Sequence, residues 1–519
     1  MIILNAPFAN AAAGHEDDAA AALERMARAS FGALGPAELR LVRNAPLRTL
    51  AWSGPSSDPA ASVNDPEKAA TWGPDRTVRA AIIRWLLTDP AAAPYVHPSG
   101  VGVAGAKITG HLDLSFLSTN LPLTLLDCAL PDGFDFSSAN LNGLDLAGSS
   151  AGPIVGDRAI VKNDVMLTFG KFHGVSLFRT HIGGDLDCSG GHFSGAGGTA
   201  LSAVETTIRG DANFLHGFES SGVVDFRLAE IGRSLSFNHA RFTGGGQNGL
   251  NAERATIAGT IYWVGVTHTR ATLLDLENAH AAALWDDAAS WPAPGNLILA
   301  GFAYGDFSGG PMDAADRLDW IGRQPVSALA NPQPYRELAQ VLRDSGDEEG
   351  ATRVMIAKEN AVAEHGGLGL ADRVWKCLLW MTIGYGYRPL RALWWVLGFV
   401  LTGAALFRWG YGARLITPTE QDAYARFVET GTPPPHYPPF SSLVYSLENF
   451  LPVVDLHQGS YWRPNPHHVA ARKRRVPSRQ AEPGTIPARL LRWYLWLHIL
   501  AGWTITPLLF AGLAGLLRE

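Results

Sequence analysis

The sequence predicts a mixed fold, with a β-helix (solenoid) between helical caps followed by an α-helical membrane domain. The first observation is a short pattern of small, apolar and Gly residues that repeats from about Val101 to Phe302. The second is a change near Arg388, after which two segments are apolar enough to lie in lipid. Together these observations indicate a soluble solenoid joined to a membrane part.

The composition agrees with more than one domain. The chain has 519 residues, of which 47% are apolar and 17% are charged, so it is not a disordered chain. Its net charge of −6 gives no reason to expect a nucleic-acid partner. Many of its 16 tryptophans follow Trp375, a placement that suits belts at a membrane interface.

The repeat is clearest in a motif that begins with Ile. Its apolar residues alternate with polar ones, as in short strands, and its later copies lie about 23 to 26 residues apart. One turn of this length cannot bury its apolar side alone, whereas stacked turns can. We therefore expect Ile, Leu, Phe and Cys to point inward. The copies are Ile108–Leu114, Ile182–Cys188, Ile208–Phe214, Ile231–Phe237 and Ile257–Trp263.

One stretch, Ser138–Ala147, resembles the pentapeptide-repeat pattern, in which a small residue and a Leu stack inside a quadrilateral β-helix. The resemblance implies a pentapeptide-like right-handed β-helix, which we place at 97–310. The match is looser elsewhere, and we expect interrupted turns at Gly148–Asn163 and Ala281–Pro294. Cys128 and Cys188 each follow Leu-Asp, which predicts equivalent inward positions rather than a redox or metal role.

Helical patterns flank the solenoid. Residues 1–96 are predicted to form an N-terminal helical cap and linker, and residues 311–366 a helical hairpin. Residues 367–391 read as an amphipathic interfacial segment. The predicted helices are Asp17–Ala33, Pro36–Val42, Asp75–Leu87, Tyr335–Arg343 and Glu348–Glu364.

The membrane part contains two predicted transmembrane helices. The first, 392–408, is short for a hydrocarbon core of ~30 Å, and snorkelling of its flanking arginines would extend it. The second, 493–517, carries His498 as its one titratable residue before the terminal arginine. Between them, residues 409–492 form a loop that contains a pore-helix-like segment at 440–456.

The predicted topology places the large N-terminal domain in the cytoplasm, in a multi-pass protein of the cell inner membrane. Met1–Leu4 lacks the basic region of a signal peptide. Two crossings then return the C-terminus to the cytoplasm. In the alternative, 392–407 dips into the bilayer without crossing. The basic run of Arg472, Lys473, Arg474 and Arg475 would then face cytoplasmic lipid head groups, which makes these four residues lipid-binding candidates.

Three motifs match known functional sequences, but the residues around each motif argue against that function. Gly100, Gly102 and Gly105 satisfy GxGxxG, but solenoid sequence follows where a dinucleotide site needs a helix. Gly148–Gly152 satisfies GxSxG but precedes a Pro, which predicts a loop. Thr382–Gly386 looks like a potassium-filter sequence, yet we expect an interfacial helix that ends in a Gly turn. We predict no catalytic residue, cofactor or metal site.

The segment Phe440–Asp455 resembles the pore helix of a two-helix channel, with Leu-Pro-Val-Val-Asp where the filter would stand. An ionisable residue inside a span marks a functional position by default. We therefore name four candidate functional residues in the membrane part: His498, Glu448, Asn449 and Asp455. We expect the His498 imidazole to donate to a neighbouring carbonyl or to reach the head groups. In the alternative, it forms a pH-sensitive contact between helices, with Asn449 or Glu448 as its partner.

As a whole, the chain resembles a family of bacterial membrane proteins with a pentapeptide-repeat-like β-helix and C-terminal transmembrane helices, often labelled membrane-associated oxidoreductase. The resemblance implies an oxidoreductase, although no catalytic residue transfers to this sequence. It rests on four segments, Arg84–Leu87, Ile108–Leu114, Gly384–Pro389 and Phe450–Leu456.

The leading functional hypothesis is a membrane-anchored, non-enzymatic scaffold that recruits a cytoplasmic protein partner. A regular solenoid offers a long rigid face, which favours binding over catalysis. The alternatives are an oligomeric two-helix channel-like protein gated by the soluble domain, and the oxidoreductase of the family label. The expected partners are membrane lipids, a protein on the β-helix surface and further copies of the chain through the membrane helices, without nucleic acid.

Overall fold

The computed structural model describes residues 6–56, 61–195, 198–244, 249–465 and 485–516. The chain forms two compact units, which we name the solenoid unit (Met1–Lys358) and the helical unit (Glu359–Glu519).

The solenoid unit contains a parallel β-solenoid of about nine turns over residues 101–309. The middle turns each have four short strands on four faces, which we name A to D in chain order. One turn runs through Val165–Met166 on face A, Lys171–His173 on face B, Val175–Ser176 on face C and His181–Ile182 on face D. The chain then returns to face A at Leu186–Asp187, paired in parallel with Val165–Met166. The fold class that the sequence predicted, a solenoid followed by helices, is confirmed.

The strands of face A are Val101–Ala104, Leu123–Leu126, Leu144–Asp145, Val165–Met166, Leu186–Asp187, Ala212–Asn213 and Leu235–Ser236. The strands of face B are Lys107–Thr109, Ala129–Leu130, Ser150–Ala151, Lys171–His173, His192–Ser194, Glu219–Ser220, Arg241–Phe242 and Thr267–His268.

The strands of face C are Leu112–Asp113, Phe134–Asp135, Ile154–Val155, Val175–Ser176, Thr199–Ser202, Val223–Asp225, Leu250–Asn251, Leu274–Asp275 and Leu297–Ile298. The short strands of face D are Asn140–Leu141, Ile160–Val161, His181–Ile182, Thr207–Ile208 and Glu230–Ile231. In the last turns, longer strands run from face D into face A: Thr256–Trp263, His280–Asp286 and Ala303–Gly309.

The repeated Ile residues stack directly on face D. Ile182 pairs with Ile208, Ile208 with Ile231, and Ile231 with Ile257. All four are buried, because their strands alternate inward and outward side chains. Aromatic residues fill the interior beside them, as where the rings of Phe214 and Phe237 stack with centroids 4.6 Å apart. The spacing of about 23 to 26 residues is therefore one turn of the solenoid.

Two details differ from the sequence predictions. Gly148–Asn163 is an uninterrupted part of the coil, whereas Ala281–Pro294 does contain a break, the 3-10 helix Ala288–Ser290. The motif at Ile108 lies on faces B and C, while the similar motif at Ile182 lies on faces D and A. All four faces use the same alternation, so the motif does not specify a face.

Both solenoid cysteines point inward, but their positions are not equivalent. Leu186 lies in register with Leu144 and Leu123 on face A. Cys188 stands two residues after Leu186. Cys128 stands at the following corner, where its amide donates to Ser149 Oγ at 2.9 Å. Burial raises the pKa of the Cys128 thiol to about 12, so this thiol stays protonated.

The N-terminal cap adds helices and two strands to the first turn. Its helices are α1 (Ala6–Phe31), α2 (Pro36–Asn44) and α3 (Ala80–Thr88), with 3-10 helices Pro66–Thr71, Pro74–Arg76 and Ala93–Tyr95. The strands Ala51–Trp52 and Thr77–Arg79 pair with faces A and B. The buried Glu38 of α2 joins these parts, since its carboxylate accepts hydrogen bonds from Arg79 Nε at 2.7 Å and from Gly35 N at 2.9 Å.

The C-terminal cap consists of α4 (Ala314–Gly322), the 3-10 helix Val326–Ala328, α5 (Gln333–Asp344) and α6 (Glu348–His365). The last two correspond to the predicted hairpin, and α4 precedes it. Side chains of α5 bond the backbone of the last turn. Gln333 accepts from Gly301 N at 2.8 Å and donates to Phe302 O at 2.9 Å, and Glu337 accepts from Tyr304 N at 3.2 Å.

The helical unit contains two helices long and apolar enough to cross a membrane. They are α8 (Arg391–Gly412), of 22 residues, and α12 (Thr485–Leu513), of 29 residues. At 1.5 Å per residue α8 is about 33 Å long, so the helix is longer than the sequence predicted. The remaining elements are α7 (Leu370–Ile383), the 3-10 helix Gly384–Gly386, α9 (Gln421–Thr430), α10 (Ser442–Phe450), α11 (Gln458–Tyr461) and the antiparallel strands Ile416–Pro418 and Trp462–Pro464.

Candidate functional site

The helix α10, which forms the core of the pore-helix-like segment, packs against both α8 and α12. Two glycines allow this close approach. A Cβ on Gly403 of α8 would overlap Ser446 Oγ, and a Cβ on Gly502 of α12 would overlap the Phe450 carbonyl oxygen. The second contact is with backbone, which cannot move aside as a side chain can. The two candidate spans are thus joined through a short helix between them.

His498 lies at the centre of this three-helix junction and is fully buried. Its Nε2 is 3.0 Å from the Ser446 carbonyl oxygen, which can only accept, so Nε2 carries the proton. The Ser446 hydroxyl donates to the Val400 carbonyl of α8 at 2.8 Å. The imidazole therefore links α12 to α10, and a hydroxyl links α10 to α8.

Aromatic rings surround the imidazole. Its centroid lies 5.2 Å from that of Phe450, 5.7 Å from that of Phe407 and 6.4 Å from that of Phe399. These rings come from α10 and α8, and they exclude water from the junction. In such surroundings an unpaired polar atom is costly, so the hydrogen bond to Ser446 fixes the packing of the helices.

The other candidate residues of the membrane part do not contact His498. Glu448 accepts hydrogen bonds from Gln458 N at 2.7 Å and Gly459 N at 3.0 Å. Asn449 donates to the Tyr445 carbonyl at 2.8 Å, and the exposed Asp455 accepts from His457 N at 3.0 Å. Neither Glu448 nor Asn449 is the hydrogen-bond partner of His498, which donates to a carbonyl instead. Glu448 lies two positions after Ser446, on another face of α10, and Asn449 bonds back along its own helix.

The predicted lipid-binding run of Arg472, Lys473, Arg474 and Arg475 lies outside the described residues. The structure instead brings together two arginines that the sequence analysis did not single out. Arg463 and Arg492 line one pocket of about 480 Å³. They are far apart along the chain, so only the position of Arg492, at the edge of an apolar segment, could have indicated them.

The glycine motifs of the solenoid unit serve its backbone. Val101–Ala104 is a strand, and Gly100 and Gly105 flank it with φ of +90° and +66°. A further strand, Lys107–Thr109, follows where a dinucleotide-binding helix would begin. In the GxSxG motif, the serine at the nucleophile position is Ser150, which lies in the strand Ser150–Ala151 and not at a turn into a helix. The preceding Ser149 is buried, and its Oγ donates to the Leu125 carbonyl at 2.7 Å, so this hydroxyl holds a corner of the coil.

The filter-like sequence at Thr382 ends a helix, as predicted. The helix α7 stops at Ile383, and Gly384 follows in the left-handed conformation with φ of +55°. The Tyr385 hydroxyl then donates to Asn360 Oδ1 at 2.9 Å, which ties this turn to α6. The Gly-Tyr-Gly sequence is a helix-ending turn with its tyrosine buried.

A small apolar patch stands out on face A of the solenoid. The rings of Tyr262 and Trp285, on neighbouring strands, lie 5.7 Å apart, and Trp285 is 41% exposed. With Asn238 and His239 they line a pocket of about 350 Å³. We name this the aromatic patch (Asn238, His239, Tyr262 and Trp285). No sequence signal marks it, because outward residues of one face are a full turn apart in the chain.

Within the described residues, no group of three or more His, Cys, Asp or Glu side chains is placed to hold a metal ion. The chain matches no family model, no curated protein and no solved structure.

Proposed function

We propose that this chain is a membrane-anchored scaffold on the cytoplasmic side of a bacterial inner membrane, and that its solenoid recruits a protein partner. The aromatic patch carries the proposal. Trp285 and Tyr262 present apolar area on a rigid, hydrogen-bonded face, and exposed aromatic residues of this kind anchor protein partners. The four short strands in each of the middle turns also support a pentapeptide-type coil.

The helical unit supports membrane anchoring. Its two candidate spans expose large apolar side chains that water would solvate poorly but lipid would not. On α8 and α12 these exposed side chains include Trp394, Leu401, Trp409, Leu490, Trp493, Leu500 and Trp503.

Site-specific photo-crosslinking tests recruitment. A photoreactive amino acid in place of Trp285 should give a discrete protein adduct in cells, and the Tyr262→Ala change should weaken that adduct. The same amino acid at the exposed Arg241 of face B serves as the matched control and should give none. Equal labelling from both positions, or no adduct from either, would contradict recruitment through the aromatic patch.

A second candidate function is an oligomeric channel-like protein gated by the solenoid unit. The observation that favours it is the short helix α10 packed against both candidate spans. Reconstituted protein that forms a symmetric oligomer with α10 on its axis, and that conducts ions in planar bilayers, would replace the scaffold proposal. Bound flavin or nicotinamide in purified protein would favour the oxidoreductase that the family resemblance implies.

A further inference from the structure

The pocket between Arg463 and Arg492 has the chemistry of an anion site. Besides the two arginines, its lining includes Gln421 and Thr417, and no carboxylate of the described residues lines it. Neither arginine forms an ion pair with any residue that the structure describes. Two uncompensated positive charges at one pocket attract a negatively charged group.

Neighbouring elements hold both arginines in place. Arg463 is the middle residue of Trp462–Pro464, whose buried outer residues alternate with it, so its side chain points outward. Its strand pairs with Ile416–Pro418, where Arg463 lies opposite Thr417. Arg492 follows the buried Leu491 on α12. The pocket is therefore built on a strand pair and a helix rather than on a loop.

The pocket lies at one end of the two candidate spans, and this end carries exposed tryptophans. A Cβ on Gly410 of α8 would overlap the Leu491 side chain of α12, so the two helix ends are adjacent. At this end the exposed tryptophans are Trp409, Trp493 and Trp496. Exposed tryptophans of membrane helices gather at the level of the lipid head groups. Arg492 directly precedes Trp493, so its guanidinium lies at the same level.

We propose that Arg463 and Arg492 together bind a phosphate group, carried by an anionic lipid head group or by a free phosphate ion. A guanidinium donates two parallel hydrogen bonds to phosphate oxygens, and two such groups in one pocket neutralise its charge. The amide of Gln421 adds a further donor. This site lies outside the proposed recruitment function, since it involves neither the aromatic patch nor the solenoid.

Titration calorimetry on the full-length protein in a neutral detergent tests the site. The probes are short-chain phosphatidylglycerol and inorganic phosphate, each used alone. We expect Arg463→Gln and Arg492→Gln each to weaken binding of the effective probe about tenfold, the loss of one charged hydrogen-bonded contact. Arg489→Gln is the matched control, because it removes the same charge from an exposed position one turn earlier on α12 and should change affinity less than about twofold.

The two probes identify the source of the phosphate group. Arginine-dependent binding of the lipid alone assigns the site to a head group, and arginine-dependent binding of inorganic phosphate assigns it to the free ion. Equal weakening by all three variants would show attraction by net charge and overturn the site, as would failure of both probes to bind. Unchanged melting temperatures for the variants show that each remains folded, and recruitment through Trp285 should be unaffected.

Discussion

The two units of this chain treat apolar side chains in opposite ways. In the solenoid, inward Ile, Leu and Phe are buried, and the exposed large apolar residues are few and scattered: Phe116, Ile160, Phe169, Leu228 and Trp285. On α8 and α12 of the helical unit, Trp and Leu side chains point outward along most of each helix. The hydrophobic effect drives both arrangements, and they differ because one surface suits water and the other suits lipid.

The units also differ in how they bury polar groups. Inside the solenoid, corner hydroxyls donate to carbonyls of the preceding turn, as Thr180 does to Gly156 at 2.7 Å and Thr206 to Leu177 at 2.5 Å. The helical unit instead buries an imidazole, His498, whose partner is the Ser446 backbone. Hydroxyl bonds between successive turns support the first structure, and side-chain bonds between α8, α10 and α12 support the second.

The largest expected effect comes from a charge inside the solenoid. Ile208→Asp would bury a carboxylate between Ile182 and Ile231 without a partner, and we expect a loss of more than about 4 kcal/mol of stability or no folded protein. Its neighbour Thr207 points outward, so Thr207→Asp should cost less than about 1 kcal/mol. Thermal unfolding followed by circular dichroism compares them, and equal stabilities would refute the inward assignment.

The same Leu→Asp substitution at two exposed positions compares the surface of α12 with the surface of the solenoid. Leu500 lies near the middle of α12 and is 68% exposed, while Leu228 is 45% exposed at a corner of the solenoid. Leu500→Asp should reduce membrane insertion by about 3 kcal/mol, the cost of Asp at the centre of a span. Leu228→Asp should have no measurable effect. The fraction of chain retained in alkali-washed membranes measures both, and full retention of Leu500→Asp would mean that α12 does not cross.

Removing the buried imidazole should have an intermediate effect. His498→Leu leaves the Ser446 carbonyl without its donor, and we expect a loss of about 2 kcal/mol in stability of the helical unit. Ser446→Ala keeps that backbone acceptor and removes only the hydroxyl, so it should cost about half as much. Resistance to denaturation in detergent ranks the two variants. A more severe effect of Ser446→Ala would show that the hydroxyl, not the imidazole, joins the helices.

The smallest effect is an acid sensitivity of the N-terminal cap. Burial opposes ionisation of Glu38, but hydrogen bonds from Arg79 and Gly35 outweigh it and hold the pKa of this carboxyl below its ordinary value. A lowered folded pKa stabilises the fold above the unfolded pKa, at about 4.3, and this stabilisation is lost as the pH falls through the folded value. Melting temperature between pH 3 and 7 should therefore fall more steeply in the wild type than in Glu38→Gln. Parallel curves of melting temperature against pH would show that Glu38 does not cause the acid sensitivity.

The sequence was sufficient for features that depend on local pattern. Alternation and spacing predicted the solenoid and the inward Ile residues, and the Gly after Ile383 predicted the end of α7. The sequence did not predict features that depend on which turn or helix packs beside a given residue. The faces of the first turn, the strand Ala51–Trp52 and the pairing of His498 with Ser446 all join residues distant in the chain.

The candidate anion pocket and the aromatic patch were not predicted from the sequence, for the same reason. Arg463 and Arg492 belong to a strand and a helix separated by residues that carry a more conspicuous basic run. Tyr262 and Trp285 are one turn apart, and each on its own resembles an ordinary strand residue. Sites assembled by stacking leave no contiguous motif.

The side chains of Gln333 and Glu337 occupy the backbone groups of Gly301, Phe302 and Tyr304 that a further turn of solenoid would use. An exposed strand edge is a template for another chain, and stacked solenoids grow into fibres when both ends are open. With this end covered, the rod has a fixed length of about 40 Å, from about nine turns at a strand spacing of ~4.8 Å. The helical cap thus keeps this edge from pairing with another chain. Truncating α5 should expose the edge and let two copies pair end to end, while the N-terminal cap still covers the first turn.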